Sequence, residues 1–387
     1  MHSLLLFLLS LIASTGEDQC GPCHGAATGR AIYFITKDEV NGVVALPIAK
    51  DGTLSPGTVT KAGGAGSVAV DGDGEPVTPD ALYVFAVNAG SNTLSMLSIS
   101  ADDPTQLSLV GEPVAIPGEF PNTIAVSPRD NLACVGTTGA AAGISCGGVT
   151  SQGLGPMDAL RPFDIGQSTP PVGPTNTVSQ TFSGDESVLF TTVKGDPASN
   201  KTGFLSAFPV EHSGSGVASL SRVDVRNTPE GAAVLLGSQV IPGTSRVFAT
   251  DASFGAAVLS VDPRTLEATT VGVGEIGDQM ATCWATISPA TGTAFVSDVA
   301  VNRVVEMSLA DAGVVGELDL SENGDPGLID LRASGGFVYA LSPGNGTTAA
   351  AVTVLDVSGG SGSARMVQHF ELADMAGRNS MGMAVLE

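Results

Sequence analysis

Short runs of β-branched and aromatic residues alternate with Gly-rich or polar turns along most of the chain, and one such unit recurs seven times. Each unit contains an apolar run, a turn and a second run in which apolar and polar residues alternate. The units begin at Ile32, Leu82, Leu132, Val188, Val247, Ala294 and Phe337. Successive units start 43 to 59 residues apart, which leaves room for one sheet of about four strands in each. Repeats of this length predict a β-propeller.

The last residues of the chain predict how the propeller closes. Patterns such as NTIAVS and NTVSQTF precede several units and are typical of innermost strands beside a central channel. The chain ends in a similar pattern, SMGMAVLE, which no hairpin follows, and AIYFIT near the other terminus is its natural partner. We therefore predict an all-β, seven-bladed β-propeller over residues 31–387, closed by the C-terminal strand. Two β-sandwich domains are the alternative, but they do not explain seven similar units.

An apolar run, LLLFLLSLIA, occupies residues 4–13. About 20 such residues are needed to span a bilayer, so the run fits the core of a secretory signal peptide. We predict a signal peptide over residues 1–16, a Cys-containing segment over residues 17–30, and secretion to the extracellular space or the cell wall. The alternative is a buried N-terminal strand. No later run is long enough for a membrane helix, so membrane insertion is not expected.

Secretion permits disulfide bonds, and the chain has five cysteines. Cys134 and Cys146 flank a Gly/Ala/Thr-rich turn at positions that face each other across a hairpin, so we predict that they form a disulfide. The pairing of Cys20, Cys23 and Cys283 stays open. The Cys-x-x-Cys-His motif that begins at Cys20 also matches redox and haem-attachment motifs, but a structural disulfide of the N-terminal segment is the expectation.

Two Asn-x-Thr sequons lie in turn-like segments, at Asn200 and Asn345. Glycan acceptors of this kind occupy surface loops of secreted proteins. With a signal peptide present, both residues are predicted glycosylation sites.

The charge balance excludes two classes of partner. Asp and Glu number 39 against 16 Lys and Arg, which gives a net charge of −23. Nucleic-acid binding relies on Lys and Arg that displace counterions from phosphates, and an acidic chain is also repelled by anionic lipids. Because 43% of residues are hydrophobic and only 14% are charged, the chain is expected to be folded rather than disordered.

Several long segments carry a resemblance to one family of propellers. They are residues 43–67, FAVNAGSNTLSMLSISADDPT, IPGEFPNTIAVS, DALRPFDIGQSTPPVGPTNTVSQTF and TTVKGDPASNKTGF. The chain resembles the seven-bladed lactonase propellers, which include 6-phosphogluconolactonase, and is most similar to secreted fungal 3-carboxymuconate cyclase-like proteins. The resemblance covers nearly the whole mature chain and implies a His at the head of one inner strand, with Arg and Glu residues around the channel mouth. Thr175 or Asn176 stands where that His is expected, and neither side chain can act as a general base near neutral pH.

The connector from Thr150 to Thr175 has no strand pattern, and its 26 residues exceed the usual length of a structureless loop, about 12 to 15 residues. A loop of this length is either functional or disordered. As a functional loop, it supplies Arg161, which together with Lys194 is predicted to form an anion-binding spot at the channel mouth. Two alternatives stay open. Arg161 pairs with Asp158 or Asp164 to hold the loop, or Lys194 lies in a solvated turn.

These observations lead to two hypotheses of function. In the first, the protein opens or closes the ring of a small carboxylated lactone or muconate, with Arg161, Asn176 and Lys194 as the candidate catalytic residues. In the second, it is a non-catalytic extracellular or cell-wall glycoprotein that acts as a binding module or adhesin. Both expect a monomer that binds a small carboxylated molecule or another extracellular ligand, without a cofactor.

Overall fold

A computed structural model describes residues 30–68, 77–79, 83–172, 175–214 and 216–386. The predicted signal peptide and most of the Cys-containing segment, including Cys20 and Cys23, lie outside this part of the chain. The helices within it are single 3-10 turns, at Pro197–Ser199, Ser321–Asn323 and Ala373–Met375. None of these is long and apolar enough to cross a membrane.

Seven antiparallel sheets form the blades, and the innermost strand of six of them comes first in the chain. Blade 1 contains β1 (Arg30–Ile35), β2 (Gly42–Ile48), β3 (Thr58–Lys61) and, innermost, β31 (Met381–Leu386). Blade 2 contains β4 (Val77–Pro79), β5 (Tyr83–Asn88), β6 (Thr93–Ile99), β7 (Leu107–Leu109) and β8 (Val114–Ala115). Blade 3 contains β9 (Pro121–Ser127), β10 (Leu132–Thr137), β11 (Gly143–Thr150), β12 (Gly153–Leu154) and β13 (Arg161–Pro162). Blade 4 contains β14 (Asn176–Phe182), β15 (Val188–Lys194), β16 (Phe204–His212), β17 (Ala218–Leu220) and β18 (Val225–Asn227).

The remaining three blades have four strands each. Blade 5 contains β19 (Leu235–Val240), β20 (Arg246–Asp251), β21 (Gly255–Val261) and β22 (Ala268–Glu275). Blade 6 contains β23 (Thr282–Ser288), β24 (Thr293–Asp298), β25 (Arg303–Ser308) and β26 (Val314–Asp319). Blade 7 contains β27 (Asp330–Ser334), β28 (Phe337–Ser342), β29 (Ala351–Asp356) and β30 (Arg365–Glu371).

The ring closes as predicted, because β31 pairs with β1. The register runs from Ala31 opposite Leu386 to Ile35 opposite Met381, with a bulge next to Ile35. The last strand of the chain thus completes the sheet that the first strands begin, and the inner edge of β1 is covered. The predicted all-β, seven-bladed propeller is confirmed.

Apolar side chains fill the spaces between blades. The middle strands are buried on both faces, as in β1, where Ala31 to Ile35 are at most 1% exposed, because each sheet is packed between two neighbours. The outer strands alternate instead, as in β26, whose residues are exposed or half-buried. Each buried Val, Leu, Ile or Phe side chain contributes about 1.5–3 kcal/mol to the free energy of unfolding.

Side chains on the inner strands bond to backbone N–H groups of the next blade around the channel. The inner strands of neighbouring blades belong to different sheets and do not pair with each other, so these side chains link them. The four bonds are Ser238 N to Ser179 Oγ (3.2 Å), Ile287 N to Gln239 Oε1 (2.7 Å), Ala333 N to Thr286 Oγ1 (3.0 Å) and Met383 N to Asp330 Oδ2 (2.6 Å). These bonds satisfy buried N–H groups and fix blades 4, 5, 6, 7 and 1 relative to one another.

The predicted disulfide between Cys134 and Cys146 is present, and the two residues are directly opposite each other in β10 and β11. Cys283 lies in β23 and is 1% exposed. Its pairing with Cys20 or Cys23 stays open, because both of these cysteines lie outside the described residues.

The connector from Thr150 to Thr175 differs from the strand-free loop that we predicted. Its first part supplies β12 and β13, which both pair with β11 and together form the outer edge of blade 3. Blades 2 and 4 have a similarly divided outer edge. Strands of two residues are too short to give an alternating pattern, and therefore the sequence did not reveal them.

Candidate functional site

The candidate site lies at the end of the channel where the inner strands begin, which we call the N-terminal mouth. The second strand of each blade runs antiparallel to the inner strand, so it ends at this same mouth. Asn176 is the first residue of β14 and Lys194 the last residue of β15, and they are directly opposite each other. Residues opposite each other in neighbouring strands have side chains on the same face. Both predicted residues therefore lie together at the N-terminal mouth.

Three buried polar side chains form a cluster there, which we call the mouth cluster: Asn122, Asn176 and Lys194. They are 4%, 2% and 8% exposed. The Asn122 amide donates to Asn176 Oδ1 at 3.2 Å and to the carbonyl oxygen of Thr177, which links blades 3 and 4. The mouth cluster combines one ammonium group with two primary amides. Because the Asn122 amide donates both of its N–H groups within the protein, the Lys194 ammonium and the Asn176 amide are the groups of the cluster suited to donate hydrogen bonds to an anion.

Lys194 replaces an acidic residue that the next two blades carry at the same place. The second strands of blades 5 and 6 end in Asp251 and Asp298. Each carboxylate accepts hydrogen bonds from the connector before its inner strand, including Ala233 N at 2.8 Å and Met280 N at 2.8 Å. A lysine ammonium cannot accept such bonds. Blade 4 therefore has a buried cation where blades 5 and 6 have an anion and where blades 2, 3 and 7 have the neutral Asn88, Thr137 and Ser342. Departures of this kind are often found at functional sites.

Hydrogen bonds fasten the connector that leads into the mouth cluster. Gln167 donates to the carbonyl oxygen of Thr175 and accepts from Val172 N at 3.0 Å. Thr169 donates to the carboxylate of Glu119, on the connector of the neighbouring blade. These bonds place Thr175 at the head of β14, where it is 7% exposed.

Arg161 lies away from the mouth cluster. Its guanidinium forms a two-pronged ion pair with Asp158, at 2.9 and 2.7 Å, and donates to the carbonyl oxygens of Leu220 and Ser221 at 2.7 and 2.6 Å. Arg161 thus joins the outer edges of blades 3 and 4. This geometry favours the alternative in which Arg161 holds the connector in place, and a catalytic role for Arg161 stays an untested prediction.

Sequence reasoning missed two further cations on this side of the molecule. Lys37 follows β1 and is 5% exposed, and its ammonium lies 3.1 Å from Sδ of Met381, the first residue of β31. A signal was present, because Lys37 follows the first apolar run of its unit just as Lys194 ends that of blade 4. Arg332 lies on the inner strand β27, and its burial lowers its pKa to about 10.

Asp330 holds Arg332 in position. The Arg332 guanidinium donates to Asp330 Oδ1 at 3.0 Å and to the carbonyl oxygen of Leu331 at 2.8 Å. Asp330 is fully buried, and this burial raises the pKa of its carboxyl group. Because Asp330 also accepts from Met383 N, one side chain both closes the ring and orients a channel cation.

The two histidines in the described part of the chain do not lie on inner strands. His212 Nε2 is 2.9 Å from Asp130 Oδ1, and His369 Nε2 is 3.0 Å from Asp325 Oδ2. His212 lies on β16 and His369 on β30, so neither occupies the head of an inner strand, where the resemblance implies a His. Among the described residues, no group of three or more His, Cys, Asp or Glu side chains could hold a metal ion.

The two sequons lie on turns at the same end of the molecule. Asn200 and Asn345 are both exposed, in the loops that join the second and third strands of blades 4 and 7. Their side chains are accessible to modification, and glycosylation of either residue stays a prediction.

No protein-family model and no curated protein matches this chain. Solved structures do match its fold. The periplasmic gluconolactonase PpgL of Pseudomonas aeruginosa has a TM-score of 0.66 at 15% identity, covering 93% of this chain and 99% of its own. A putative 6-phosphogluconolactonase from Bacteroides uniformis has a TM-score of 0.64 at 14% identity, covering 93% and 100%. One from Bacteroides fragilis has a TM-score of 0.60 at 9% identity, covering 93% and 99%. The chain is a seven-bladed β-propeller, and its structural neighbours include a gluconolactonase and two putative 6-phosphogluconolactonases.

Proposed function

We propose that this propeller binds a small carboxylated lactone or muconate at the N-terminal mouth and opens or closes its ring. The observation that carries the proposal is Lys194, a cation 8% exposed at a position where blades 5 and 6 have aspartate. A protein of net charge −23 has no general attraction for anions, so an anion site has to be built from local cations. Lys37 and Arg332 add two more cations beside the inner strands.

The donors of the mouth cluster suit both the ground state and the transition state of such a reaction. A substrate carboxylate accepts hydrogen bonds from the Lys194 ammonium and the Asn176 amide. In hydrolysis, water adds to the lactone carbonyl carbon, the ring C–O bond breaks, and the released alkoxide takes a proton to give a hydroxy acid. Fixed donors stabilise the oxyanion that develops during the addition, an effect worth about 3–4 kcal/mol per donor in other enzymes.

The second candidate is a binding module that does not catalyse a reaction. It is favoured by the chemistry of Thr175 and Asn176, because neither a hydroxyl nor an amide acts as a general base near neutral pH. On this proposal the protein is a secreted glycoprotein of the extracellular space or cell wall, and the mouth cluster recognises carboxylates without converting them.

One set of assays separates the candidates. Purified protein lacking residues 1–16 is assayed for hydrolysis of a carboxylated lactone, 3-carboxymuconolactone, and for 3-carboxymuconate cyclisation, and 3-carboxymuconate binding is measured by calorimetry. Lys194→Gln removes the mouth cation, and Lys50→Gln, at an exposed lysine away from the mouth, is the matched control.

Turnover that falls at least tenfold in Lys194→Gln but not in Lys50→Gln supports the enzyme. Binding without turnover, again lost in Lys194→Gln alone, supports the binding module. Neither binding nor turnover by the wild-type protein would overturn both.

A further inference from the structure

A groove opens on the face opposite the N-terminal mouth, between blades 4 and 5. It has a volume of about 470 Å³, which is within the range of small-molecule sites. Its walls are the turn between β14 and β15, the turn between β19 and β20, and the turn that follows β21. We call it the blade 4/5 groove. The proposed lactone site is at the other end of the molecule, so the groove is a separate feature.

The floor of the blade 4/5 groove is apolar and the rim is polar. Phe190, Val261 and Leu266 are 5%, 2% and 9% exposed, and they lie beside the half-buried Val188 and Val240. Hydroxyl groups and one carboxylate surround this floor, at Ser183, Ser187, Thr244, Ser245 and Asp185. A floor of aliphatic and aromatic side chains with a few polar groups is typical of a site for a small amphipathic molecule.

Asp185 is the only charged residue that lines the groove in the described part of the chain. Its Oδ1 atom accepts three hydrogen bonds, from Ser183 Oγ, Ser187 Oγ and Ser187 N, at 2.7, 2.7 and 3.2 Å. These bonds lower the pKa of Asp185 to about 2, so the carboxylate is charged at all physiological pH values. Arg129 donates to the backbone carbonyl oxygen of Asp185. None of the salt bridges found among the described residues pairs Arg129 with the Asp185 carboxylate.

We propose that the blade 4/5 groove binds a small organic cation that has an apolar body and one ammonium group. The apolar body covers the floor formed by Phe190, Val240 and Val261, and the ammonium group pairs with the carboxylate of Asp185 at the rim. The net charge of −23 raises the concentration of cations around the protein and favours this ligand class over anions.

The experiment compares two probes of the same shape, phenethylammonium and the neutral 2-phenylethanol. Binding to the full protein is measured by NMR titration at pH 7 and low salt, where surface ion pairs are least screened. Asp185→Asn keeps an oxygen that accepts the turn hydrogen bonds but removes the charge. Asp51→Asn is the matched control, because Asp51 accepts the same pair of bonds from Thr53 in a turn of blade 1. Ser245→Trp tests the location, since Ser245 is an exposed groove residue.

We expect the ammonium probe to bind at least threefold more tightly than the alcohol, in line with an exposed ion pair. Asp185→Asn should abolish that preference, Asp51→Asn should keep it, and Ser245→Trp should weaken both probes. Equal affinity of the wild-type protein for the two probes, no binding of either, or an unchanged preference in Asp185→Asn would overturn the proposal. Lactone turnover or carboxylate binding at the N-terminal mouth should be unaffected by Asp185→Asn, so the two proposals fail independently.

Discussion

At the scale of single residues, Lys194 differs from its counterparts in charge but not in place. Asp251 and Asp298 accept backbone N–H groups of their connectors, whereas Lys194 lies opposite Asn176 in β14 and β15. A buried lysine loses solvation and rotamer freedom, and this cost is offset when the ammonium group binds an anion. At this position, aspartate therefore has a structural role in blades 5 and 6, whereas we propose that lysine has a binding role in blade 4.

The first prediction restores the acidic residue in blade 4. Lys194→Asp should keep the propeller folded, with a melting temperature within about 5 °C of the wild type, because two other blades accommodate aspartate at this place. Carboxylate binding should fall at least tenfold, since an anion replaces the cation. Thermal denaturation and calorimetric titration with 3-carboxymuconate measure the two effects. Lys50→Asp makes the same change of charge at an exposed site, and an equal loss of binding there would contradict a local role for Lys194.

At the scale of elements, the inner strands depend on side chains from neighbouring segments for their position. Asp251 shows this for blade 5, because it is fully buried and accepts from Ala233 N, Val234 N and Ser253 N. Without that carboxylate, the connector before β19 would have two partly buried N–H groups, those of Ala233 and Val234, without this acceptor. The entry angle of an inner strand is thus fixed by one aspartate at the end of the adjacent strand.

The second prediction removes that acceptor. Asp251→Ala should lower the free energy of unfolding by about 2–4 kcal/mol, because three N–H donors, two of them half-buried, lose a buried charged acceptor. Asp311→Ala is the comparison, since the Asp311 carboxylate accepts from Gly313 N in an exposed turn and its loss should cost less than about 1 kcal/mol. Urea denaturation of both variants measures the difference. Similar losses in the two variants would show that Asp251 is not a special support of β19.

The sequence predicts elements better than it predicts the site. The second strands begin within about two residues of the predicted unit starts, because strands buried on both faces are continuous apolar runs. The disulfide is also predictable, since Cys134 and Cys146 lie in one hairpin. The contact between Lys37 and Met381 joins residues 344 positions apart, and no local pattern encodes it. The connector of blade 3 was mistaken for a loop because β12 and β13 have only two residues each.

At the scale of the whole molecule, the ring depends on one strand from each terminus. β31 covers the inner edge of β1, and Asp330 bonds β31 to blade 7. Without β31, the apolar strand β1 would expose an unpaired edge at the centre of the channel, which favours aggregation.

The third prediction tests closure with a deletion and a rearrangement. Deletion of residues 381–387 should abolish cooperative unfolding and leave the protein aggregated. A circular permutant that moves residues 377–386 in front of Arg30 through a short turn should fold, because Leu386 already lies opposite Ala31. Size-exclusion chromatography and circular dichroism distinguish these outcomes. A folded monomer after the deletion would show that closure by β31 is dispensable.

The fourth prediction concerns acid. Hydrogen bonds from turn residues lower the pKa of seven carboxyl groups, those of Asp51, Asp103, Asp185, Asp262, Asp311, Asp319 and Asp356. A carboxyl group with a lower pKa in the folded state stabilises the fold at pH values above its unfolded pKa. That stabilisation is lost as the pH falls from about 4 toward 2. Urea denaturation at a series of pH values should therefore show decreasing stability over this range, and constant stability from pH 4 to 2 would contradict the role of these turns.

The most direct test of the proposed function is a crystal structure of the protein with 3-carboxymuconate at a saturating concentration. The account predicts that a carboxylate of the ligand lies within hydrogen-bond distance of the Lys194 ammonium and the Asn176 amide at the N-terminal mouth. A ligand bound only elsewhere, or an empty mouth in crystals that leave it open to solvent, would contradict it.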